Sequence, residues 1–383
     1  MAASQRAAVA PFFAMEILKA ATARAAEGAR VFHMETGEPG SGAPQAVLDA
    51  AQAALAAEKI GYTEAHGVLP LRERIAVLYG ERYGFALPTD RVVVTTGGSA
   101  GIILAFLAAF DVGDRVALAN PGYPAYRNTL QALGLEPVLL PTTTETRFQP
   151  DVAMLEALER PIQGLIVASP SNPTGTMIPR HTLEAVAAYC DGQGIRVVSD
   201  EIYHGITYGE PAASVAAYSE RAVVINGFSK YFAMTGWRLG WMVVPEDLAR
   251  AVERLTQNLF ISPPALSQRA ALAAFDCRDE LEANVARYAR NRAIVQQAFP
   301  AAGFGALAPC DGAFYAYADV SGLTDDSEAF CQHMLAECGV AATPGIDFDT
   351  ERGRDFVRFS YAGATDEVEG ACAALERWLT RNG

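Results

Sequence analysis

The sequence predicts an α/β fold built on a mostly parallel sheet of seven strands. Seven short apolar runs carry this prediction, at 92–95, 116–119, 137–140, 165–169, 197–200, 223–226 and 239–244. Helical stretches such as 125–133 and 183–190 separate many of them. Strands that are apolar on both faces and joined by crossover helices are typical of a parallel sheet covered on both sides. We therefore expect one large α/β domain around this sheet.

The two ends of the chain predict a second, smaller α+β domain. Residues 11–30 have the pattern of one helix, and residues 263–299 are largely helical and suit a connector. Beyond them the pattern predicts strands at 313–320 and 356–361 and helices at 327–338 and 366–381. We expect a large domain over 41–277 and a small domain formed by 1–40 together with 278–383.

Composition excludes several classes of protein. The chain has 383 residues, 51% of them apolar, and a net charge of −14 from 30 basic and 44 acidic residues. This apolar content is too high for a disordered chain, and the length permits a large core without disulfides. Binding to a nucleic-acid backbone relies on clustered Lys and Arg, which the sequence lacks. We therefore expect no nucleic-acid partner.

Neither metal binding nor membrane insertion is predicted. The six cysteines form no CxxC pair, and the five histidines show no HExxH or HxxxH spacing. Residues 92–110 carry no charge, but the glycines at 97 and 98 divide them into a strand and a buried helix. Glu16, Lys19 and Arg24 interrupt the apolar N-terminal segment, so we expect an amphipathic helix there rather than a signal sequence. We expect a cytoplasmic protein with no metal.

Four polar loops follow predicted strands, and ligands of open parallel sheets bind where strands end. The first, 95–100, contains Gly98 and Ser99, whose backbone N–H groups begin a helix and suit an anion. A purely structural glycine turn is the alternative.

The second loop, 169–175, places Asn172 between two prolines, where its amide offers both a donor and an acceptor. A turn without function is an equally simple interpretation.

The other two loops carry charged groups in apolar surroundings. Asp200 ends a buried run, so its carboxylate needs a cationic or N–H partner, which an internal arginine could equally supply. Lys230 stands among apolar and aromatic neighbours, where an amine loses basicity and becomes a nucleophile. Ser229 and Arg238, on the same loop, could clamp an anion beside it.

Pyridoxal 5′-phosphate needs the combination that these four loops supply. Its phosphate requires helix N–H groups and an arginine, and its aldehyde requires a lysine. A buried carboxylate keeps the pyridine nitrogen protonated, so that the ring can withdraw electrons. Asn172 and Tyr203 are placed to donate to its phenolic oxygen. The residues alone therefore predict this cofactor.

The sequence also resembles the class I/II aminotransferases, which are fold type I PLP-dependent transferases of the aspartate aminotransferase superfamily. The resemblance covers nearly the whole chain, from the Thr-Gly-Glu-Pro motif at 36–39 to Val-Arg-Phe-Ser at 357–360. Three motifs carry it in order: Ser-Asn-Pro-Thr-Gly at 171–175, Asp-Glu-Ile-Tyr at 200–203, and Ser-Lys at 229–230 followed by Gly-Trp-Arg-Leu-Gly at 236–240.

This resemblance implies a role for each matching residue. Lys230 would bind the cofactor covalently and later move the substrate proton, while Asp200 would pair with the ring nitrogen. Asn172 and Tyr203 would bond the phenolic oxygen, and Tyr123 would stack on the ring. The residues implied around the phosphate are Gly98, Ser99, Ala100, Ser229, Arg238 and, from the neighbouring subunit, Tyr62.

The substrate and the assembly are implied in the same way. Arg358 would bind the substrate α-carboxylate, with help from Gly37 and Asn172. A tyrosine shared between subunits implies a homodimer with shared active sites. The resemblance further implies cis peptide bonds before Pro121 and Pro173.

The predicted activity is ping-pong transfer of an amino group between an α-amino acid and a 2-oxo acid. A C–S β-lyase, or another lyase of the same fold, is the nearest alternative, because it would use the same residues. A cofactor-binding regulator would carry a DNA-binding helix-turn-helix, which the sequence lacks. The substrate stays open: a dicarboxylate would need a second cation, for which Arg127 and Arg147 are candidates, and the segment 10–19 is expected to border the pocket.

Overall fold

The computed structural model describes residues 3–57 and 59–382, which contain twelve strands and twelve α-helices. The strands are β1 (Phe32–His33), β2 (Val92–Thr95), β3 (Arg115–Asn120), β4 (Glu136–Pro141), β5 (Gly164–Ala168), β6 (Arg196–Asp200), β7 (Val223–Gly227), β8 (Gly240–Val243), β9 (Tyr315–Asp319), β10 (Val340–Ala341), β11 (Thr343–Pro344) and β12 (Phe356–Ser360). The helices are α1 (Phe13–Ala26), α2 (Gln45–Ala57), α3 (Leu69–Tyr83), α4 (Gly97–Ala109), α5 (Pro124–Leu133), α6 (Val152–Glu156), α7 (Arg180–Gln193), α8 (Glu246–Leu259), α9 (Ala265–Ala274), α10 (Arg278–Ala302), α11 (Ser327–Cys338) and α12 (Thr365–Asn382).

Seven strands form the main sheet in the order β2-β8-β7-β6-β5-β3-β4. Each lies on one of the seven apolar runs, so the predicted α/β fold with a mostly parallel sheet is confirmed. Only β8 runs antiparallel to its neighbours, β2 and β7. It can do so because the segment 228–239 returns directly from β7 to the adjacent position, without a crossover helix. The carboxyl ends of β2, β5, β6 and β7 therefore meet at one edge.

Helices cover both faces of this sheet and create two apolar cores. Successive strand residues point to opposite faces, so Leu165 packs in one core and Ile166 in the other. Val197 and Val198 divide in the same way. Burial on both faces explains why these strands appear in the sequence as continuous apolar runs rather than as alternating ones.

The chain ends build a smaller group of elements. β11, β12 and β9 form an antiparallel sheet, and β1 pairs in parallel with β10. This last pairing joins the N-terminal segment to the C-terminal part of the chain. The division at 40/41 and 277/278 stays a prediction.

Some local predictions need correction. The first helix is shorter than the predicted 11–30, and residues 275–277 separate α9 from α10 within the stretch predicted as largely helical. The expected cis bonds before Pro121 and Pro173 are present, together with a third before Pro170 that was not anticipated. Within the described part of the chain, no helix has the length and apolar character to cross a membrane.

Candidate active site

A cavity of about 550 Å³ opens at the edge of the main sheet where β2, β5, β6 and β7 end. It brings together eleven of the predicted residues, which are Gly37, Gly98, Ser99, Tyr123, Asn172, Asp200, Tyr203, Ser229, Lys230, Arg238 and Arg358. Two others lie elsewhere. Ala100 is buried in the first turn of α4 and does not line the cavity, and the Tyr62 side chain is 84% exposed on the surface.

Lys230 lies in the return segment between β7 and β8, which places its amine at the centre of the cavity. Its Nζ donates a hydrogen bond to the Gly37 carbonyl oxygen over 2.5 Å. Burial lowers the pKa of Lys230 to about 8, against the opposing effect of the Glu38 carboxylate. An amine of this pKa is partly neutral at physiological pH, and only the neutral form is nucleophilic.

Asp200 is the last residue of β6 and is 7% exposed. Its Oδ2 accepts a hydrogen bond from the Tyr126 hydroxyl at 2.6 Å, and its Oδ1 accepts one from the Ile202 N–H at 3.1 Å. Neither of these hydrogen bonds comes from an arginine, which was the alternative partner considered for Asp200 in the sequence. Burial raises the pKa of this carboxyl. A buried carboxylate with two neutral donors is suited to a further, cationic partner.

An anion cradle forms where the start of α4 meets Arg238. A Cβ at Gly97, whose φ is +76°, would lie 2.7 Å from Arg238 Nη2, and one at Gly240 would lie 2.8 Å from the backbone N of Gly98. Glycine at 97 therefore allows the guanidinium to approach the helix N-terminus, and glycine at 240 allows the backbone of β8 to pack against it. Thr235 links Arg238 to Ser229. Its backbone carbonyl accepts a hydrogen bond from Arg238 Nη1 at 3.0 Å, and its hydroxyl donates one to the Ser229 carbonyl at 2.8 Å.

Arg358, in the middle of β12, is 2% exposed and also lines the cavity. Its Nη1 donates to Asn172 Oδ1 at 3.0 Å, and its Nη2 donates to Thr343 Oγ1 at 3.1 Å and to the Glu35 carbonyl. None of these acceptors carries a negative charge, and its buried Nε has no hydrogen-bond partner among the described residues. This guanidinium is therefore prepared for a carboxylate.

Two tyrosines complete the polar part of the site. The Tyr203 and Tyr315 hydroxyls are hydrogen-bonded at 2.7 Å, and burial raises the pKa of both. A Cβ at Gly37 would lie 1.8 Å from the Tyr315 hydroxyl oxygen, so only glycine fits there. Because Asn172 Oδ1 is engaged by Arg358, its amide hydrogens are left to donate toward the cavity.

Sequence reasoning missed Tyr126 and Tyr315. Tyr126 follows the predicted Tyr123 by three residues, so one turn of α5 brings both to the cavity. Tyr315 opens β9, in a part of the chain where no motif pointed to the site. The segment 10–19 borders the cavity as expected, through Phe12, Ala14, Met15 and Leu18.

Neither candidate for a second substrate cation lines this cavity. Arg127 donates through Nη2 to the Asp347 carbonyl at 3.3 Å, and Arg147 forms an ion pair with Asp311 at 2.6 Å. The rest of the cavity wall is mainly apolar, with residues such as Ile102 and Ile202, and its exposed rim carries the acidic Glu38. A second negative charge on a substrate would therefore find no arginine prepared for it within the described residues.

Comparison with known proteins shows the family. A model of the family "aminotransferase class I and II" matches residues 29–375, and the chain belongs to this family. It is accordingly an aminotransferase, a fold type I enzyme that moves an amino group between an α-amino acid and a 2-oxo acid.

Individual relatives agree with this assignment. The chain is 50% identical to a valine–pyruvate aminotransferase of Mycobacterium tuberculosis, over 98% of this chain and 97% of the relative. The crystal structure of an aminotransferase from M. tuberculosis superposes with a TM-score of 0.98 at 49% identity, covering 100% of both chains. The structure of the aspartate aminotransferase of Thermus thermophilus with maleate superposes with a TM-score of 0.92 at 30% identity, covering 98% of this chain and 99% of that chain.

Proposed function

We propose that this aminotransferase uses pyridoxal 5′-phosphate, takes amino acids with apolar side chains as donors, and works as a homodimer in the cytoplasm. The observation that carries the proposal is the convergence of an amine of lowered pKa, a buried carboxylate and two arginines in one cavity. The cofactor, when bound, supplies an electron sink for the electrons of the substrate Cα–H bond.

The cavity residues fit this cofactor. Arg238, Ser229 and the N–H groups at the start of α4, including those of Gly98, Ser99 and Ala100, would hold the phosphate. Asp200, whose two hydrogen-bond donors are neutral groups, would pair with the protonated nitrogen of the ring. Asn172 and Tyr203 would donate to the phenolic oxygen, and Tyr123 would lie against the ring.

The chain's own residues divide the chemical work. Arg358 would bind the substrate carboxylate through donors that now meet only neutral acceptors, and so orient the Cα–H bond. Lys230 Nζ would accept the Cα proton of the substrate and later release it, which its pKa of about 8 suits, since a general base works best near the ambient pH. An amino acid and then a 2-oxo acid would use the same residues in turn, as a ping-pong sequence requires.

A panel of substrates tests the proposal. Valine, alanine, phenylalanine and aspartate would be offered as donors with pyruvate or 2-oxoglutarate as acceptor, and both products would be measured. We expect transfer from apolar donors and little from aspartate, in line with the valine–pyruvate aminotransferase to which this chain is 50% identical. Release of ammonia and an oxo acid without an acceptor would favour the lyase alternative, and preference for aspartate would contradict the proposed substrate class.

Replacing Arg358 with alanine should raise the apparent KM for amino and oxo acids alike. A charge-assisted hydrogen bond contributes about 1.5–3 kcal/mol, so the expected change is about tenfold or more. Arg147→Ala is the matched control, because Arg147 is paired with Asp311 away from the cavity. Unchanged KM values in Arg358→Ala, or equal changes in the control, would move the carboxylate site elsewhere.

The surface around Tyr62 supports the proposed dimer. Leu55, Ile60 and Tyr62 are exposed beside Leu259 and Ile261, and the Thr63 N–H donates to Ser262 Oγ at 3.4 Å, which links the two segments. An apolar surface of this kind is typical of an interface. We expect sedimentation to show a dimer in which Tyr62 of one subunit serves the site of the other.

Mixed dimers test the sharing of sites. Lys230→Ala and Tyr62→Ala are each expected to be impaired, but a dimer of one with the other contains one site with both native residues. Unfolding and refolding an equal mixture should therefore restore part of the wild-type activity. An active monomer, or no recovery when mixed dimers form, would exclude sites shared through Tyr62.

A further inference from the structure

The helix α1 begins without a capping side chain of its own. Its N-cap residue is Phe12, which has no side-chain acceptor for the free N–H groups of the first turn. The Ala14 N–H instead donates to Asp347 Oδ2 at 3.3 Å, although the two residues are 333 positions apart. Asp347 therefore takes the place of a local cap and ties the start of α1 to the C-terminal part of the chain.

Asp347 is built into its position. It is 2% exposed and ends the short helical turn Gly345–Asp347, and its carbonyl accepts from Arg127 Nη2. The charges that act on its carboxylate are those of Arg358 and Arg127. The next residue, Phe348, places its ring 4.8 Å from the Arg358 guanidinium. The two neighbouring residues Asp347 and Phe348 therefore contact the start of α1 and the Arg358 guanidinium, respectively.

The face of α1 toward the cavity is apolar. Phe12, Met15 and Leu18 are spaced three apart, lie on one face and line the cavity. The Phe12 ring meets the Tyr123 ring edge-on at 5.9 Å, while the Met15 side chain is 53% exposed at the mouth. The buried residues of α1 are Ala14, Ile17 and Ala21, two of them small. Besides this small buried face, α1 is held by the bond from the Ala14 N–H to Asp347 and, near its other end, by one from Arg24 Nη2 to the Ala336 carbonyl at 2.7 Å.

We propose that Asp347 is a positioning residue for substrate selection. By capping α1 it holds Phe12, Met15 and Leu18 as an apolar wall against the substrate side chain. The preferred donors are amino acids whose side chains extend beyond a methyl group and carry no second charge. This inference rests on the proposed function, and it assigns the selection of side chains to a residue that does not itself line the cavity.

The test compares valine with alanine, whose methyl group offers the wall little to contact. Asp347→Ala should lower the ratio of kcat/KM for valine to that for alanine by up to about fivefold, which corresponds to the helix stability that is typically lost with a cap. Leu18→Ala, which removes part of the wall directly, should lower the ratio in the same direction. Asp347→Asn keeps an acceptor oxygen and should retain most of the wild-type ratio.

A second measurement does not depend on activity. Loosening of α1 should speed trypsin cleavage after Lys19 and Arg24 in the cofactor-free protein with Asp347→Ala, but not with Leu18→Ala. Should Asp347→Ala fail to fold, Ala14→Pro removes the donor of the same bond, at a position in the first turn where proline is tolerated. It should lower the substrate ratio and speed cleavage in the same way.

Asp349→Ala is the matched control, because Asp349 is an equally buried acid of the same segment that bonds Asn120 and Arg352 but not α1. It should keep both the wild-type ratio and the slow cleavage. An unchanged ratio in both Asp347→Ala and Ala14→Pro, or an equal change in Asp349→Ala, would overturn the inference. If the wild-type enzyme transfers no amino group from valine, the proposed function is wrong. That result differs from an unchanged ratio in the variants, which would show only that Asp347 does not position α1.

Discussion

Lys230→Ala is expected to abolish amino transfer while leaving the fold intact. Proton transfer by a positioned base contributes about 10²–10⁴-fold to a rate, and loss of the proposed covalent link to the cofactor would add to this. The measurement is single-turnover conversion of valine with excess enzyme. Substantial turnover by the variant would show that another group moves the proton.

The composition of the chain makes the covalent link easy to locate. Its lysines are Lys19, Lys59 and Lys230, and the first two are exposed at the surface. Borohydride reduction of the enzyme with bound cofactor should label the peptide that contains Lys230, and Lys19→Ala should label equally well. A label on either exposed lysine, or none, would contradict the assignment.

The same amine predicts a pH dependence. Burial lowers the pKa of Lys230 from 10.5 to about 8, so capture of the cofactor by the cofactor-free protein should quicken as the pH rises toward 8 and then level off. In the unfolded chain Lys230 keeps its proton up to its ordinary pKa, so its unfavourable effect on stability is full below about 8 and is relieved between 8 and 10.5. Lys230→Met should therefore stabilise the cofactor-free protein at pH 7 in a denaturant titration.

Asp200→Asn should have the second large effect. Asparagine can still accept the Tyr126 hydrogen bond but carries no negative charge to hold a proton on the cofactor ring. Loss of such preorganised electrostatic stabilisation costs about 10²–10³-fold in rate. We expect this loss in the removal of the Cα proton, measured by exchange of α-deuterated valine, with a much smaller change in cofactor affinity.

Tyr126→Phe is the companion to that experiment. It removes the 2.6 Å hydrogen bond but keeps the carboxylate, so its effect on proton exchange should be smaller, about tenfold. If Asp200→Asn and the wild type exchange at the same rate, the carboxylate has no role in the chemistry. A larger loss in Tyr126→Phe than in Asp200→Asn would mean that the hydroxyl, rather than the charge, is essential.

Much of the site follows from local patterns. Each strand of the main sheet appears as an apolar run because it is buried on both faces, and Asn172, Asp200 and Lys230 appear as polar residues directly after such runs. Parallel strands bring their carboxyl ends to one edge, so position after a strand is enough to gather these residues. The family resemblance carried by the motifs around them predicts the remaining roles.

The hydrogen-bond partners of these site residues could not be predicted from local sequence patterns. Tyr126 contacts Asp200 from 74 residues away, and Tyr315 contacts Tyr203 from 112 residues away. Arg358 engages Asn172 across 186 residues. No short-range pattern marks such pairs, because each depends on how two separate elements pack.

The amino-acid sequence by itself was enough to predict the strands of the main sheet, the amine of Lys230, the carboxylate of Asp200 and the family. Hydrophobic periodicity and sequence motifs depend only on residues that are close together in the chain. Only the tertiary structure decided that Arg127 and Arg147 point to other partners, that the cavity wall is apolar, and that Asp347 caps a helix at the far end of the chain. The physical reason is that burial and hydrogen-bond partners belong to the packed molecule, where residues hundreds of positions apart share one environment.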